Sequence, residues 1–403
     1  MPSLWAYFIY RIVLNPIFHI LYWVTSIILY IFLTPVFIIL TFYKNKYKNS
    51  IPARFFLKNN INFKGNVWIH ACSLGEINSI EFIVENIQEA IILTTITQTG
   101  YNRAKELFKN KANIKIRFLP FEIFLPFLMP KTLKKLIVVE AELWPMLFFS
   151  AKRVGAQTML INSRISNKSY PRYKKVLILY KNIFKNIDKI LCQRSEDKFK
   201  LEYLGGKDVE VFGNIKIFNK PTITNEFKKF SGTTIIAAST HEGEEGMIID
   251  SCKEILKNDE SRLIIAPRHP ERFNKVWIHM QNYGFQNGRF SLHGLNYKYK
   301  IILMDKIGEL INLYNIASLV ILGGSFVNNV GGHNPIECAA LNKKLITGPY
   351  IYNQYALFES ISGYTMLNGS ELKANMQNIE KLPNSYIKNL DYKIEALLKY
   401  IKI

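Results

Sequence analysis

Strand-like apolar runs alternate with helical stretches along most of the chain. In the first half the predicted strands cover residues 67–72, 91–95, 114–118, 136–139, 158–161 and 189–192. In the second half they cover residues 234–238, 263–266, 300–304, 319–322 and 344–347. Strands separated by helices form parallel sheets that are covered on both faces. The pattern predicts an α/β fold with two doubly wound domains, which bind ligands at the carboxyl ends of their strands in the cleft between them.

The alternation lapses once, in the polar stretch 219–232, which we interpret as an interdomain linker. Residues 46–218 are then the first domain and residues 233–385 the second. An apolar stripe over residues 386–403 predicts a C-terminal amphipathic helix. Residues 1–45 precede the first domain.

Residues 12–43 contain no Asp, Glu, Lys or Arg, and His19 is their only polar titratable interruption apart from tyrosines. The run is longer than the roughly 20 apolar residues needed to cross a bilayer. It is followed by Lys44, Lys46 and Lys48, which by the positive-inside rule place the rest of the chain in the cytoplasm. We predict an N-terminal membrane anchor. The alternative to a spanning helix is a segment, broken at Pro35, that enters only one leaflet.

Charge and cysteine content narrow the picture only a little. Lys and Arg number 52 against 31 Asp and Glu, a net charge of +21 that favours anionic partners such as nucleic acid, acidic lipid or phosphorylated substrates. The four cysteines form no C-x-x-C pair, which is typical of reduced thiols in a cytoplasmic protein and excludes a disulfide or zinc framework.

A glycine-rich stretch, residues 323–337, follows the apolar run 319–322 and is expected to open a helix. Asn334 is a good N-cap, Pro335 suits the first helical position, and Glu337 stands third. Such a turn presents backbone N–H groups to an anion. The alternative is a well-capped helix in which Glu337 only reaches back to Asn334.

Other polar motifs also follow predicted strands. In the first half these are residues 73–76, 140–145, 162–166 and 213–216, and the first two of them carry the carboxylates Glu76, Glu140 and Glu142. In the second half they are residues 239–245, 267–272 and 305–310, where Arg and His gather. This division suits a base for an acceptor hydroxyl in one domain and an anionic leaving group in the other. Ser73-x-x-Glu76 and Ser239-x-x-Glu242 also match capping boxes, so a purely structural role stays open for both.

The sequence lacks the motifs of P-loop proteins, Rossmann dehydrogenases and hydrolases with a nucleophile elbow. The chain has no Walker A motif, no G-x-G-x-x-G fingerprint and no nucleophile-elbow serine. The segment that begins at His241 lacks the second histidine of a zinc-binding helix, and no Asp-x-Asp pair ends a strand. We therefore predict no metal site and no cofactor.

Taken together and in order, four motifs resemble the 3-deoxy-D-manno-octulosonic acid (Kdo) transferase family. They are Trp-Ile-His-x-x-Ser-x-Gly-Glu76, Glu140-x-Glu-Leu-Trp-Pro, Pro267-Arg-His-Pro-Glu-Arg and Gly-Gly-His-Asn-Pro-x-Glu337. The resemblance runs from about Arg54 to beyond Asn353. It implies a GT-B fold, with two Rossmann-like domains and a deep cleft. It also implies transfer of Kdo from CMP-Kdo to a lipid A precursor (lipid IVA) with inversion at the anomeric centre, in lipopolysaccharide synthesis.

The resemblance also implies roles for individual residues. Glu76 matches the proton acceptor, and Glu140 and Lys216 match positions that support the transition state. The matches to CMP-binding segments are Pro267, Arg268, Ile307, Gly308, Glu309, Asn334, Pro335, Ile336 and Glu337. The chain departs from the family pattern at Met146, at residues 217–219 and at Gln354, which flank the motifs and bear on acceptor preference.

The sequence thus predicts an inner-membrane glycosyltransferase, single-pass or monotopic, with its catalytic domains in the cytoplasm. Its expected partners are CMP-Kdo, a lipid A precursor and the membrane, without nucleic acid. One alternative is a GT-B transferase that uses another nucleotide sugar. Another is a basic, membrane-bound nucleic-acid-binding protein, although no recognised binding module is present.

Overall fold

The structure is a computed structural model that describes residues 15–402 except 59, 62 and 220. The chain divides into two compact units: Met1–Asn219 with Asp391–Ile403, and Lys220–Leu390. The part of the predicted anchor that covers residues 1–14 lies outside the described residues.

The first unit is built on a seven-stranded parallel sheet with the strand order β3-β2-β1-β4-β5-β6-β7. Its strands are β1 (Val67–His70), β2 (Ile91–Thr95), β3 (Ile114–Phe118), β4 (Lys135–Val139), β5 (Gln157–Ser163), β6 (Lys189–Cys192) and β7 (Val209–Val211). Its helices up to the unit boundary are α1 (Asn15–Tyr43), α2 (Ser50–Arg54), α3 (Leu74–Ser79), α4 (Glu81–Glu85), α5 (Gln98–Leu107), α6 (Leu125–Leu128), α7 (Pro145–Arg153), α8 (Tyr170–Lys175), α9 (Leu177–Phe184) and α10 (Ser195–Tyr203).

The second unit repeats this architecture, with a parallel sheet in the order β10-β11-β9-β8-β12-β13-β15. Its strands are β8 (Thr234–Thr240), β9 (Arg262–Pro267), β10 (Asn287–Arg289), β11 (Ile301–Leu303), β12 (Leu319–Leu322), β13 (Lys344–Thr347), β14 (Ile361–Ser362), β15 (Tyr364–Met366) and β16 (Tyr386–Ile387). Its helices are α11 (Glu244–Leu256), α12 (Phe273–Met280), α13 (Phe290–His293), α14 (Leu310–Ile316), α15 (Ile336–Ala340), α16 (Tyr355–Phe358) and α17 (Gly369–Met376). The separate pair β14 and β16 is antiparallel.

All eleven predicted strands are present, and the prediction of two Rossmann-like parallel sheets is confirmed. The central strands are buried on both faces, as β1, β2, β4 and β12 show along their whole length. Burial on both faces explains why these strands are continuous apolar runs. The strands that the pattern missed, such as β7 and β10, have only three residues and lie at sheet edges. Strands that short carry too few alternations to be recognised.

The C-terminal helix, α18, covers Leu390–Ile401 and begins later than predicted. Residues 386–387 form β16 instead and pair with Ile361 and Ser362. Asn389 then takes a left-handed conformation, with φ 50°, which separates the strand from the helix. The end of α18 is held in the first unit, where the Lys135 ammonium donates to the carbonyl of Tyr400 at 2.6 Å.

The N-terminal apolar segment forms one continuous helix, α1, in which Pro35 lies without ending it. The break at this proline, which the one-leaflet alternative assumed, is therefore not present. By length and composition, 27 residues of this helix, Ile17–Tyr43, are sufficient to cross a membrane.

One side of α1 packs on the first unit. The His19 ring is buried and stacks on Phe149 at 4.3 Å between centroids. The Tyr22 hydroxyl donates to the Glu122 carboxylate at 2.6 Å. Farther along, Phe37 stacks on Phe121 at 5.2 Å. Contacts to the globular unit therefore extend from the first turns of the helix to beyond its midpoint.

Candidate active site

The strand order of each sheet defines where a ligand is expected. In the first unit β1 lies between β2 and β4, and in the second β8 lies between β9 and β12. At these points successive connections leave in opposite directions along the sheet, and a crevice opens outside the carboxyl ends of the strands. The predicted site motifs follow these same strands.

Glu76 lies at the switch point of the first unit, in the first turn of α3 after β1. Its Oε2 accepts from the Cys72 backbone N–H at 2.7 Å, and its Oε1 accepts from the Ser73 hydroxyl at 2.8 Å. Ser73 is the N-cap and accepts from the Glu76 N–H at 3.4 Å. In the predicted capping box the Glu76 carboxylate would accept from the N–H of the N-cap, Ser73. In the structure it accepts instead from the N–H of the preceding residue, Cys72.

Burial dominates the electrostatics of Glu76. Only 8% of the residue is exposed. Desolvation raises the pKa of its carboxyl to about 7, against the lowering effect of its two hydrogen bonds, and the nearby charges of Glu140 and Glu142 also raise it. The group therefore changes protonation state near neutral pH, as suits a general base.

Two further carboxylates follow β4. Glu140 has φ 58°, an uncommon value for a residue with a side chain, and its N–H donates to the Ile161 carbonyl at 2.8 Å. Glu142 is held by Trp144, whose indole N–H donates to Oε2 at 2.9 Å. Burial raises the pKa of the Glu142 carboxyl. Left-handed backbone in a residue with a side chain, as at Glu140, clusters at functional sites.

Lys216 lies in a short 3₁₀ turn, Ile215–Phe218, that contacts α3. The turn is fixed by two side chains. Asn162, which has φ 54° at the end of β5, accepts from the Ile215 N–H at 3.2 Å, and Asn214 accepts from the Lys216 N–H at 3.0 Å. Within the described residues the Lys216 ammonium makes no hydrogen bond or ion pair. A half-buried cation therefore lies close to the helix that carries Glu76.

Glu244 organises the switch point of the second unit. This carboxylate is fully buried and accepts from the backbone N–H groups of His241 and Gly324 at 2.8 Å and of Phe326 at 3.0 Å. It joins the segment after β8 to the glycine-rich turn after β12. Two N–H groups of that turn, which the sequence suggested for an external anion, are thus occupied by a carboxylate of the chain itself.

Arg268 follows β9, and its N–H donates to the Thr240 carbonyl at 3.1 Å. The side chain is exposed, and within the described part of the chain its guanidinium has no hydrogen-bond or ion-pair partner. Arg272, in contrast, is engaged by Glu245 at 2.8 and 3.0 Å. Arg268 is therefore the arginine of this motif that is available to an anion.

Two histidines, His241 and His333, are close enough to Arg268 for its charge to lower their pKa values. The Nε2 atoms of His241 and His333 are 2.8 Å apart, so one ring must donate and the other accept. Burial lowers the pKa of His333 to about 4, with the neighbouring His241 and Arg268 adding to the effect. His333 is therefore neutral at physiological pH and can serve as a hydrogen-bond donor or acceptor.

Asn334 and Glu337 lie at the start of α15. The Asn334 carbonyl oxygen accepts from the Ile336 N–H at 3.0 Å, and its amide donates to Glu337 Oε1 at 3.5 Å. The helix begins at Ile336 and not at Pro335 as predicted, since Pro335 with φ −88° and ψ −10° takes the position before it. Burial raises the pKa of the Glu337 carboxyl, although the hydrogen bond from Asn334 acts in the opposite direction.

The segment 307–309 forms a turn with Gly308 at φ 92°. Ile307 is 73% exposed, whereas Glu309 is buried. The Lys306 ammonium lies 2.5 Å from Glu309 Oε1 and lowers the pKa of this carboxyl, and the Asn312 amide donates to Oε2 at 2.8 Å. Both oxygens of Glu309 are therefore engaged within the turn, which leaves the exposed backbone and Ile307 to face a ligand.

Comparison with known proteins identifies the family. A sequence model described as "3-Deoxy-D-manno-octulosonic-acid transferase (kdotransferase)" matches residues 48–219. The 3-deoxy-D-manno-octulosonic acid transferase of Aquifex aeolicus is 31% identical over 362 residues, which are 88% of this chain and 95% of that protein. The chain belongs to this transferase family. It is a glycosyltransferase.

A second relative of the transferase is longer. The bifunctional glycosyltransferase/methyltransferase of Fusobacterium nucleatum is 32% identical over 344 residues, which are 79% of this chain but 53% of that protein. Among solved structures, UDP-GlcNAc 2-epimerase from Neisseria meningitidis superposes with a TM-score of 0.55 at 12% identity, over 83% of this chain and 98% of the epimerase. This likeness concerns the fold, and the GT-B fold class is confirmed.

The structure groups the predicted residues of the transferase within each unit. Glu76, Glu140 and Lys216 lie around the carboxyl ends of β1, β4 and β5, and the predicted CMP-binding segments follow β9, β11 and β12. One prediction about the second unit is wrong. Ser239-x-x-Glu242 is not a capping box, because α11 starts at Glu244 after Gly243 with φ 93°.

Three features of the transferase were missed from the sequence. The central part of Glu244 in holding the glycine-rich turn was one. Another is left-handed backbone at Glu140, Asn162 and Ser239, which follows no residue-type rule except for the asparagine. The third is a group of Cys72, Glu76 and Glu142, whose ligand atoms all lie within 4.8 Å of one another. The Glu-x-Glu motif was the available signal for its last member.

Proposed function

We propose that this chain transfers Kdo from CMP-Kdo to a lipid A precursor, releases CMP and inverts the anomeric centre. The observation that carries the proposal is the position of Glu76. It is a buried carboxylate at the switch point of the first unit, with a pKa near neutrality. The description of the family and the name of the Aquifex relative support Kdo as the transferred sugar, and CMP-Kdo as donor and a lipid A precursor as acceptor are part of the proposal.

In this mechanism the acceptor hydroxyl gives its proton to Glu76 while its oxygen bonds to the anomeric carbon of Kdo. The bond from that carbon to the CMP phosphate oxygen breaks, and its electron pair leaves with CMP. One displacement on the face opposite the leaving group inverts the centre. General-base assistance is worth roughly 10²–10⁴-fold. Lys216 and Glu140 are proposed to balance charge around the first-unit site as the transition state forms.

The donor is proposed to bind the second unit through its nucleotide. Arg268, which has no partner among the described residues, offers an exposed guanidinium to the phosphate, and Glu337 offers a carboxylate oxygen to the ribose hydroxyls. The turn 307–309 supplies exposed backbone around Gly308, and Pro267, Asn334, Pro335 and Ile336 shape the neighbouring segments. None of these contacts requires a divalent metal.

We propose that the protein is attached to the inner membrane with both units in the cytoplasm. Contacts from His19 to Phe37 fasten about 27 Å of α1 to the first unit. A helix crossing the bilayer would take that contacting surface into the membrane with it. The opposite side of α1 is apolar and exposed, for example at Leu21 (63%) and Phe32 (75%). These features favour a monotopic helix that lies in one leaflet.

Release of the nucleotide tests the proposal against its alternatives. With a lipid A precursor present, CMP release from CMP-Kdo should exceed release without acceptor, and UDP-N-acetylglucosamine should give none. Acceptor-dependent release of the nucleotide from a UDP-sugar, and not from CMP-Kdo, would favour the alternative of a GT-B transferase that uses another nucleotide sugar. Binding to nucleic acid that weakens steeply with salt, without nucleotide release, would favour the nucleic-acid alternative.

A further inference from the structure

Cys72, Glu76 and Glu142 combine one thiol with two carboxylates at the switch point of the first unit. Their ligand atoms lie within 4.8 Å of one another, and among the described residues no other such trio of histidine, cysteine and acidic side chains occurs. The residues come from the segments after β1 and β4, which are adjacent strands. The pairing of β1 with β4 in the sheet therefore brings the three side chains together.

The donor set suits zinc more than magnesium or calcium. Thiolate is a ligand for zinc and softer metals, whereas magnesium and calcium select oxygen. In a tetrahedral zinc site the bonds are about 2.0–2.3 Å, so neighbouring ligand atoms lie about 3.5 Å apart. Because the present separations do not exceed 4.8 Å, none of them needs to shorten by more than about 1.3 Å. Three protein ligands leave the fourth position to water.

Outer hydrogen bonds already orient the ligands. The Trp144 indole holds Glu142 Oε2, and the Cys72 N–H and Ser73 hydroxyl hold the two oxygens of Glu76. Each carboxylate oxygen keeps a second lone pair for a metal. Cys72 is a half-buried residue, and its thiol hydrogen-bonds to Glu142. Such outer partners are typical of metal sites that are ordered before the ion arrives.

The surrounding charge also favours a cation. Glu140 adds a negative charge beside the trio, and Arg54 is the nearby positive group that acts on Cys72 and Glu142. Arg54 is committed elsewhere, since its Nε donates to the Leu119 carbonyl at 2.9 Å and its guanidinium covers the Phe121 ring at 4.0 Å.

We propose that Cys72, Glu76 and Glu142 bind Zn²⁺ and that this binding inhibits the transferase by occupying its general base. Binding releases the thiol proton to solvent and leaves a thiolate, two carboxylates and water on the ion. The inhibition rests on the proposed role of Glu76, whereas the metal site stands on its own geometry. Catalysis itself proceeds without the ion.

Cobalt spectroscopy tests the site without any assay of function. The full-length protein, stripped with a chelator, is titrated with Co²⁺, and a thiolate-to-cobalt charge-transfer band should appear in the near ultraviolet and disappear when Zn²⁺ is added. Cys72→Ala should abolish the band. Cys338→Ala, which removes a buried thiol of the second unit, should leave it unchanged. Trp144→Phe should weaken cobalt binding about 10–100-fold, as loss of an outer partner does.

Inhibition is then measured as the ratio of turnover with and without Zn²⁺, so that each variant is compared with its own metal-free rate. Zinc should inhibit the natural protein and the Cys338→Ala variant, and Cys72→Ala should resist. Magnesium at the same concentration should not inhibit. A wild-type protein without the charge-transfer band, or a band that persists in Cys72→Ala, overturns the site. A band without zinc inhibition of an active enzyme overturns the inhibitory role. A band in a protein that transfers no Kdo overturns the proposed function instead.

Discussion

At the scale of single residues, the account depends on whether Glu76 is a base or only a cap. A capping glutamate needs one oxygen for a backbone N–H, and Glu76 meets that need at Cys72. A cap has no requirement for a raised pKa, yet burial raises the pKa of this carboxyl to about 7. The two roles are compatible in geometry and separate in their response to substitution.

Glu76→Gln can keep both contacts, because its carbonyl oxygen can accept from the Cys72 N–H and its amide can donate to the Ser73 hydroxyl oxygen, whereas the base is removed. We expect turnover to fall roughly 10²–10⁴-fold while thermal unfolding and CMP affinity stay unchanged. Steady-state kinetics with a chelator present, together with CMP calorimetry, make the measurement. A folded variant with near wild-type turnover would return Glu76 to a capping role and shift the base to Glu140.

The pH dependence has a definite sign. Below a pKa of about 7 Glu76 is mostly protonated and cannot accept a proton, so kcat/KM in chelated buffer should rise through about pH 7 and level off above it. The slow residual rate of Glu76→Gln should lack this rise. A wild-type profile already flat at about pH 6 would show that the base has an ordinary carboxyl pKa.

Glu140 allows backbone strain and side-chain chemistry to be separated. Glycine adopts φ 58° without the steric cost that a Cβ incurs there, which is about 1–2 kcal/mol. Because Glu140→Gly and Glu140→Ala both remove the carboxylate, they should lose turnover equally. The loss should be at least about tenfold if this carboxylate supports the transition state. The glycine variant should unfold at higher denaturant than the alanine variant. Equal stability of the two would deny the strain, and full activity in both would remove Glu140 from the mechanism.

At the scale of elements, the glycine-rich turn shows what the sequence could predict and what it could not. The apolar run 319–322 and the turn after it were predicted because a buried parallel strand and its glycine-rich exit have clear compositional signals. The partner of the turn was not predictable. Glu244 comes from a segment 80 residues earlier in the chain and reaches Gly324 only because β8 and β12 are neighbours in the sheet.

Removing the Glu244 carboxylate should loosen this turn. Glu244→Ala leaves three N–H groups without their acceptor, and since a buried unsatisfied donor costs about 1–3 kcal/mol, the free energy of unfolding should drop by about 3 kcal/mol or more. CMP affinity should fall with it. Glu242→Ala is the matched control, because this neighbour is exposed and pairs with Lys275 at the surface. Equal effects of the two substitutions would contradict the role of Glu244 in holding the glycine-rich turn.

Local signals located the central elements well and their boundaries less well. The stripe over 386–403 predicted a helix but not the strand at Tyr386–Ile387, because pairing with β14 is a tertiary contact. Likewise Glu76 could be placed after a strand by its motif, but its burial and its nearness to Glu140 and Glu142 depend on tertiary packing. Site chemistry that arises from such long-range packing has no signature in a local pattern.

At the scale of the whole molecule, the proposed membrane attachment rests on the apolar helix α1. Length and hydropathy qualify α1 as a spanning helix, whereas its packing on the first unit favours one leaflet. Composition could not distinguish these cases, since the docked and lipid-facing sides of the helix are both largely apolar.

The two topologies differ in the location of the N-terminus. A cysteine introduced by Ser3→Cys should be inaccessible to a membrane-impermeant maleimide in intact spheroplasts and react after permeabilisation, because a monotopic helix keeps both ends on the cytoplasmic side. A cysteine from Tyr43→Cys should behave in the same way under either topology. Labelling of the Ser3→Cys protein in intact spheroplasts would show that α1 spans the membrane.

The central claim concerns the reaction, and the mass of the lipid product tests it most directly. The full-length protein is incubated with CMP-Kdo and a tetra-acylated lipid A precursor in chelator, and the lipid is weighed by mass spectrometry. We expect the lipid to gain the mass of one or more whole Kdo residues, with an equal number of CMP molecules released. An unchanged lipid with CMP-Kdo, and a gain in mass when another nucleotide sugar is supplied, would contradict it.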